Sequence, residues 1–210
     1  MTVKNKRNGE IDTYNPLGKL NLGDSVTRAL LCRPVVPLRM EKSFKGAGIY
    51  VIYYTGDFPP YEPIARANRQ DRFRRPIYVG KAVPAGARKG GFRLDALPGS
   101  VLFSRLQEHA ESVGQAKNLD VGDFFCRYLV VDDIWIPLGE ALLIETFSPV
   151  WNKVIDGFGN HDPGKGRKDQ RRSPWDVLHP GRPWAMKLPP LEKSATELAE
   201  KAKNWLTRKQ

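Results

Sequence analysis

Two apolar runs, KGAGIYVIYYTG at residues 45–56 and RPIYVGKA at 75–82, break a largely polar N-terminal half. Both are rich in Ile, Val and Tyr, and they predict strands over 47–55 and 76–82. The connection GDFPPYEPIARANRQDRFRR is polar and interrupted by prolines, so residues 56–75 are expected to be an insertion outside the core. From Ser100 the period changes. In SVLFSRLQEHAESVG, Leu102, Leu106, Ala110 and Val113 recur at three- and four-residue spacing, which predicts a helix with a serine cap. FFCRYLVV reads as a third strand, and IPLGEALLIETF as a second helix stopped by Pro149. Before the first strand, GDSVTRALLCR predicts a short helix between the NPLG turn and Pro34, with Asp24 or Ser25 as its cap. After Asn152 the chain is dense in Gly, Pro and charge and reads as loop, until SATELAEKAKNWLTRKQ closes it as a helix.

The order strand, strand, helix, strand, helix predicts an α/β (α+β) domain, a small sheet flanked by helices. The expected organisation is an N-terminal extension at 1–43, a central domain at 44–155 carrying the 56–75 insertion, and a basic loop with a helix at 156–210. With 210 residues, 40% hydrophobic and 27% charged, the chain is long enough for one substantial core and is not compositionally disordered.

Charge changes the picture more than composition does. The formal net charge is +11. Between Arg66 and Arg93 stand nine basic residues (Arg66, Arg69, Arg72, Arg74, Arg75, Lys81, Arg88, Lys89, Arg93) against one acidic, Asp71, so this window holds +8 of it. Such a concentration favours a polyanion, most simply nucleic acid, through phosphate contacts that release counterions. Arginine suits bidentate contact to phosphate or guanine. An anionic membrane surface is a weaker reading, because no basic amphipathic helix or lipid anchor is evident. Two cysteines without CxxC spacing give no disulfide framework or zinc site, and three scattered histidines give no histidine-based metal cluster. The start lacks the apolar core of a signal peptide and no run is long enough to span a membrane, so a soluble cytoplasmic protein is expected.

Three polar residues fall on apolar helical stripes. Arg105 and His109, four apart, project from one side of the first helix, His109 within the leucine stripe. Glu145 is placed on the stripe of Leu138, Ala141 and Leu142 in the second. A buried carboxylate must be neutral, paired with a cation or bound to a metal. Taken singly, each has a bland explanation: a satisfied core histidine, an internal ion pair, or tyrosines chosen for strand propensity.

Together they resemble the GIY-YIG nuclease superfamily. GIY stands at 48–50, YVG at 78–80 in place of the second triplet, Arg105-x-x-x-His109 on the helix, Glu145 on the next helix, and Asn152 after a short turn. Flanking segments and length most resemble the small type II restriction endonucleases that cut CCGCGG. The resemblance implies a three-stranded antiparallel sheet with surrounding helices, and hydrolysis of phosphodiester bonds in double-stranded DNA with Mg²⁺ (or Mn²⁺). It implies a catalytic set of Tyr50, Tyr78, Arg105, His109, Glu145 and Asn152. In that set Glu145 holds the metal, Arg105 the scissile phosphate, Tyr78 phosphate or water, and Asn152 the geometry. Tyr50 orients or deprotonates the attacking water. Because an ordinary tyrosine has a pKa of about 10, either Lys81 and Arg105 lower it or His109 takes the proton onward. Base contacts are expected from Arg66, Arg69, Arg72, Arg74, Arg75, Arg88, Lys89 and Arg93. Reading a palindrome calls for a homodimer, and a host calls for a protecting DNA methyltransferase. Two other readings stand beside this one, a homing or repair nuclease of the same superfamily and a non-catalytic basic nucleic-acid-binding module.

Overall fold

The computed structural model describes residues 14–84, 99–162, 164 and 170–208. Four strands, β1 (Val36–Pro37), β2 (Gly48–Tyr54), β3 (Tyr78–Ala82) and β4 (Phe124–Val130), form one antiparallel sheet in the order β1-β4-β2-β3. The three expected strands are its body, and a two-residue strand is added at one edge. Tyr50 lies opposite Gly80 on β3 and Tyr128 on β4, and Ile52 opposite Tyr78. Every residue of β2 is buried, which accounts for its unbroken apolar run, since a strand covered on both faces has no polar side. Alternation sends Tyr50, Ile52 and Tyr54 into one hydrophobic cluster and Ile49, Val51 and Tyr53 into another.

On the first face packs α3 (Val101–Gln115), burying Leu102, Leu106, His109, Ala110 and Val113, the stripe expected. On the second lie α1 (Lys19–Leu31) and α4 (Ile136–Phe147), which also pack on each other. The first helix starts at Lys19 with Gly18 as its N-cap, so the expected caps Asp24 and Ser25 lie within it. Asn15 ends the preceding turn, its side chain accepting from the Leu17 amide at 3.0 Å and its carbonyl from Gly18 at 3.0 Å.

Two segments read as loop are part of the core. Residues 56–75 contain a single helical turn, Pro59–Tyr61, and then α2 (Glu62–Asn68), and they bury Tyr61, Ile64 and Ala65. Their prolines do not break structure because they stand in first turns, where a backbone N–H has no helical partner to lose. Beyond α5 (Val150–Lys153) the chain buries Phe158, Trp175, Leu178, His179 and Arg182. Here α6 (Pro174–Leu178) is capped by Ser173, whose Oγ accepts from the Asp176 amide at 3.3 Å. The closing α7 (Ala195–Arg208) starts with a capping box, Ser194 N and Oγ donating to Glu197 and the Glu197 amide donating back to Ser194 Oγ. Its Leu198, Ala202 and Leu206 join the cluster that holds Tyr50. Among the described residues no helix is long and apolar enough to cross a membrane.

Candidate active site

Tyr50 projects from the middle of β2 toward α3, and its hydroxyl meets His109 Nε2 at 2.6 Å, both side chains buried. The close approach of the strands makes room for it. A Cβ at Gly80, directly across the ladder, would lie 2.5 Å from Tyr50 Cζ, so glycine in the YVG triplet is there for the tyrosine of the GIY triplet. Tyr78, two residues earlier on β3, faces the same way. Its ring centroid is 6.3 Å from that of Tyr50 and 5.3 Å from that of His109. Asn152, in α5, clamps the strand by its amide: Nδ2 donates to Val79 O and Oδ1 accepts from Val79 N, each at 2.8 Å. Two such bonds, on the order of 1 kcal/mol each, hold the free edge of β3 and so the tyrosine beside it.

Arg105 lies one turn before His109. Its guanidinium donates to Glu108 at 3.0 Å and to Gly159 O at 2.8 Å and touches His161, and 20% of its side chain remains exposed. Arg105 is thus the cation that reaches from the buried pair to solvent.

Electrostatics keeps the paired groups neutral. Burial pushes the Tyr50 phenol well above its ordinary value. The nearby Tyr78 adds to this, and Arg105 opposes it. Burial also raises Tyr78. The expected lowering of the Tyr50 pKa by cations is therefore overturned, since desolvation outweighs the single guanidinium. His109 is held well below the usual histidine value, first by burial and then by the charges of Arg105, His161 and Arg182. Phenol and imidazole are thus both neutral, and the 2.6 Å bond between them runs in the direction set by the imidazole tautomer.

The structure does not bring Glu145 into this group. It is exposed, and among the described residues no hydrogen bond or ion pair joins its side chain to either tyrosine. The buried face of α4 is Ile136, Gly139 and Leu143, on the opposite side of the helix from the stripe inferred from sequence. At about 100° per residue, Glu145 stands roughly 180° from Ile136. The carboxylate that enters is Glu140, at the margin of the buried face. It pairs with Lys81 Nζ at 2.6 Å, and its negative charge raises both Tyr50 and Tyr78. Lys81 therefore neutralises a carboxylate that itself bears on both phenols. Among the described residues no cluster of three or more His, Cys, Asp or Glu side chains could hold a metal. A single carboxylate is nonetheless compatible with Mg²⁺, which keeps most of its waters where protein ligands are few.

Sequence reasoning also missed the loop over the site. The Phe158 ring stacks on His109 at 4.4 Å and 18°, and Gly159 and His161 meet Arg105. A glycine-rich polar run gives no signal that it will be folded against a helix; only the apolar Phe158 within it hinted at burial.

The basic stretch divides. Arg69 donates to Thr55 O and Gly56 O and pairs with Asp57 and Glu62. Arg72 closes the end of α2 through Arg66 O and Arg69 O, and Arg75 faces Leu206 O at the end of α7. These three are engaged by the fold itself. Arg66 and Arg74 are exposed. Arg88, Lys89 and Arg93 lie outside the described residues.

A family model described as the Eco29kI GIY-YIG domain matches residues 42–206, well over half of the chain. No curated protein sequence matches it.

Proposed function

Starting from the fact that the chain belongs to the Eco29kI GIY-YIG family of type II restriction endonucleases, we propose that it is a homodimeric cytoplasmic enzyme that cuts both strands of DNA at a short GC-rich palindrome such as CCGCGG. The observation that carries the mechanism is the 2.6 Å bond between buried Tyr50 and neutral His109, with Arg105 beside it. An unactivated phenol is too weak a base for water. Here it need only pass a proton along: the water gives its proton to the Tyr50 oxygen as that oxygen gives its own to His109 Nε2. The proton ends on imidazole, a group of suitable basicity once a water and a phosphate raise the local polarity. Arg105 supplies charge-assisted donors to the scissile phosphate. Tyr78 donates to a phosphate oxygen or the water, and Asn152 keeps its strand in register.

Glu140, in place of Glu145, would hold a magnesium or manganese ion, and such an ion supplies Lewis-acid stabilisation of the leaving 3′-oxygen. Lys81 balances the carboxylate when no cation is near. Arg66 and Arg74, with Arg88, Lys89 and Arg93, are the basic side chains proposed to meet DNA. A methyltransferase acting on the same site would protect the host.

The deciding experiment is incubation of the purified protein with Mg²⁺ and two plasmids that differ only in one CCGCGG site, repeated with Glu140→Ala. Linear product from the site-bearing plasmid alone, lost in the variant, is the expected result. Nicking indifferent to that site points to a repair or homing activity, and binding without any cutting in either protein removes the enzyme assignment.

A further inference from the structure

Arg182 is 1% exposed, and the chemistry above makes no use of it. Its guanidinium spends two N–H groups on Asp176, at 2.7 and 2.8 Å. The others go to three carbonyls of one short loop, Gly157 at 2.9 Å, Phe158 at 3.0 Å and Asn160 at 3.1 Å. The rings of Trp175 and Trp184 lie 4.6 and 4.7 Å from its central carbon. An ion pair serving only stability would need the two contacts to Asp176, and apolar side chains of equal volume would do as well. Turning three carbonyls of a glycine-rich loop inward around one cation fixes the shape of that loop.

The loop so held is the one over the active site. Phe158 stacks on His109, and its ring centroid is 5.0 Å from that of Tyr78. The Gly159 carbonyl accepts from Arg105 Nη2 at 2.8 Å. A Cβ at position 159 would fall 2.8 Å from the Tyr78 hydroxyl and 3.1 Å from Arg105 Nη2, so the backbone itself bears on both side chains.

We propose that Arg182 is a positioning residue for catalysis: by gripping loop 157–160 it seats Phe158 on His109 and orients Arg105 through the Gly159 carbonyl. The positive charge of Arg182 also contributes, after burial, Arg105 and His161, to keeping His109 uncharged. The kinetic part of this inference rests on the nuclease reading; the structural part does not.

Arg182→Lys is the test, because lysine keeps the charge and can still pair with Asp176, yet lacks the planar fork needed to reach three carbonyls at once. Circular dichroism establishes that the variant is folded at the assay temperature. The expected result is a turnover number at least tenfold lower, with KM for the DNA within twofold of wild type. The His109 ring resonances, shifted in the wild type by the stacked Phe158, move toward unstacked values. Wild-type turnover with unmoved resonances overturns the proposal, as does a turnover loss matching the unfolded fraction alone. Should Arg182→Lys fail to fold, Gly159→Ala decides: its methyl displaces the Tyr78 hydroxyl, so turnover must fall at unchanged KM, and an unchanged turnover overturns the proposal. If the wild-type protein cuts no DNA, the nuclease reading fails by itself, and the His109 resonances of Arg182→Lys still decide whether the clamp exists.

Discussion

Tyr50–His109 and Tyr61–His179 are the same pair of side chains at nearly the same length, 2.6 and 2.7 Å, each buried and each bonded through Nε2. Their surroundings differ. Tyr61 accepts a second bond from Trp151 Nε1 at 2.8 Å, and His179 Nδ1 meets Asn118 Oδ1 at 3.0 Å, within a nest of Phe58, Trp151 and Trp175 rings. No charge contributes to the lowering of the His179 pKa to about 3; burial alone does it. The pair is saturated, and it ties the turn at Pro59–Tyr61 to the end of α6. Tyr50–His109 instead stands in the field of Arg105 and Glu140 and beside a guanidinium that reaches solvent. On the mechanism proposed above, residue types alone do not make the proton relay: a cation, a carboxylate and a way in do.

The sharpest way to break that comparison is to remove each phenol oxygen in turn. Tyr50→Phe takes away the proton path, and a general-base contribution is worth about 10²–10⁴ in rate. Single-turnover cleavage should therefore fall by about 10³ while DNA affinity in a gel-shift stays within about twofold. Tyr61→Phe leaves Trp151 and His179 without their partner, at a cost of about 1–3 kcal/mol for each unmet group. It should lower the denaturation midpoint yet leave cleavage per folded molecule unchanged. Equal loss of cleavage in both variants would mean that the two pairs are not functionally distinct.

Next in size is the carboxylate that separates the two environments. Glu140→Gln should reduce cleavage by about 10² or more, since one preorganised charge at the reacting centre is worth about 3 kcal/mol. Glu145→Gln, on the far side of α4, should stay within about twofold. The reverse result in the same plasmid assay would restore the original assignment and remove Lys81–Glu140 from the site.

That misplacement shows what was legible in the sequence. The stripe of α3 was readable because polar residues on its other sides fix its phase, and His109 and Arg105 came with it. The tyrosines were readable because the strands and their triplets are short and unambiguous. In contrast, IPLGEALLIETF is apolar on nearly every side, so its pattern does not determine which face is buried, and Glu145 and Glu140 could not be told apart by periodicity. The loop at 157–160, its clamp on Arg182 and the Tyr61–His179 pair depend on contacts across 20 to 120 residues, for which the sequence carries no local signal. The prolines at 59, 60 and 63 interrupt the sequence pattern, yet in the fold they begin helical turns.

A smaller effect sharpens the comparison from the side of stability, where the two pairs should behave alike. Both histidines stay neutral in the fold well below the ordinary value of 6.5. Below that value the unfolded chain binds protons that the fold refuses, so stability falls as pH falls from about 6.5, for His179 down to about 3. Each histidine contributes about 1.4 kcal/mol per pH unit to that slope. Denaturant titrations at several pH values between 6.5 and 4.5 should show the slope flatten by one such share in His179→Gln, with cleavage at neutral pH retained. An unflattened slope would mean that this imidazole is already protonated in the fold.

The smallest expected effect applies the same lesson to the arginines, which share a side chain but not a setting. Each phosphate contact contributes about 0.9 to the slope of log affinity against log salt. Arg66→Ala and Arg74→Ala, which change exposed side chains, should each reduce that slope by about one and weaken binding only severalfold. Arg69→Ala and Arg75→Ala remove bonds to Thr55, Gly56 and Leu206 carbonyls, so they should lower thermal stability and leave the salt slope as it was. If Arg69→Ala flattens the salt slope as much as Arg66→Ala does, its guanidinium must exchange Asp57 and Glu62 for phosphate when DNA arrives. In that case the basic stretch would act as one surface, its internal ion pairs standing in for the ligand until it binds.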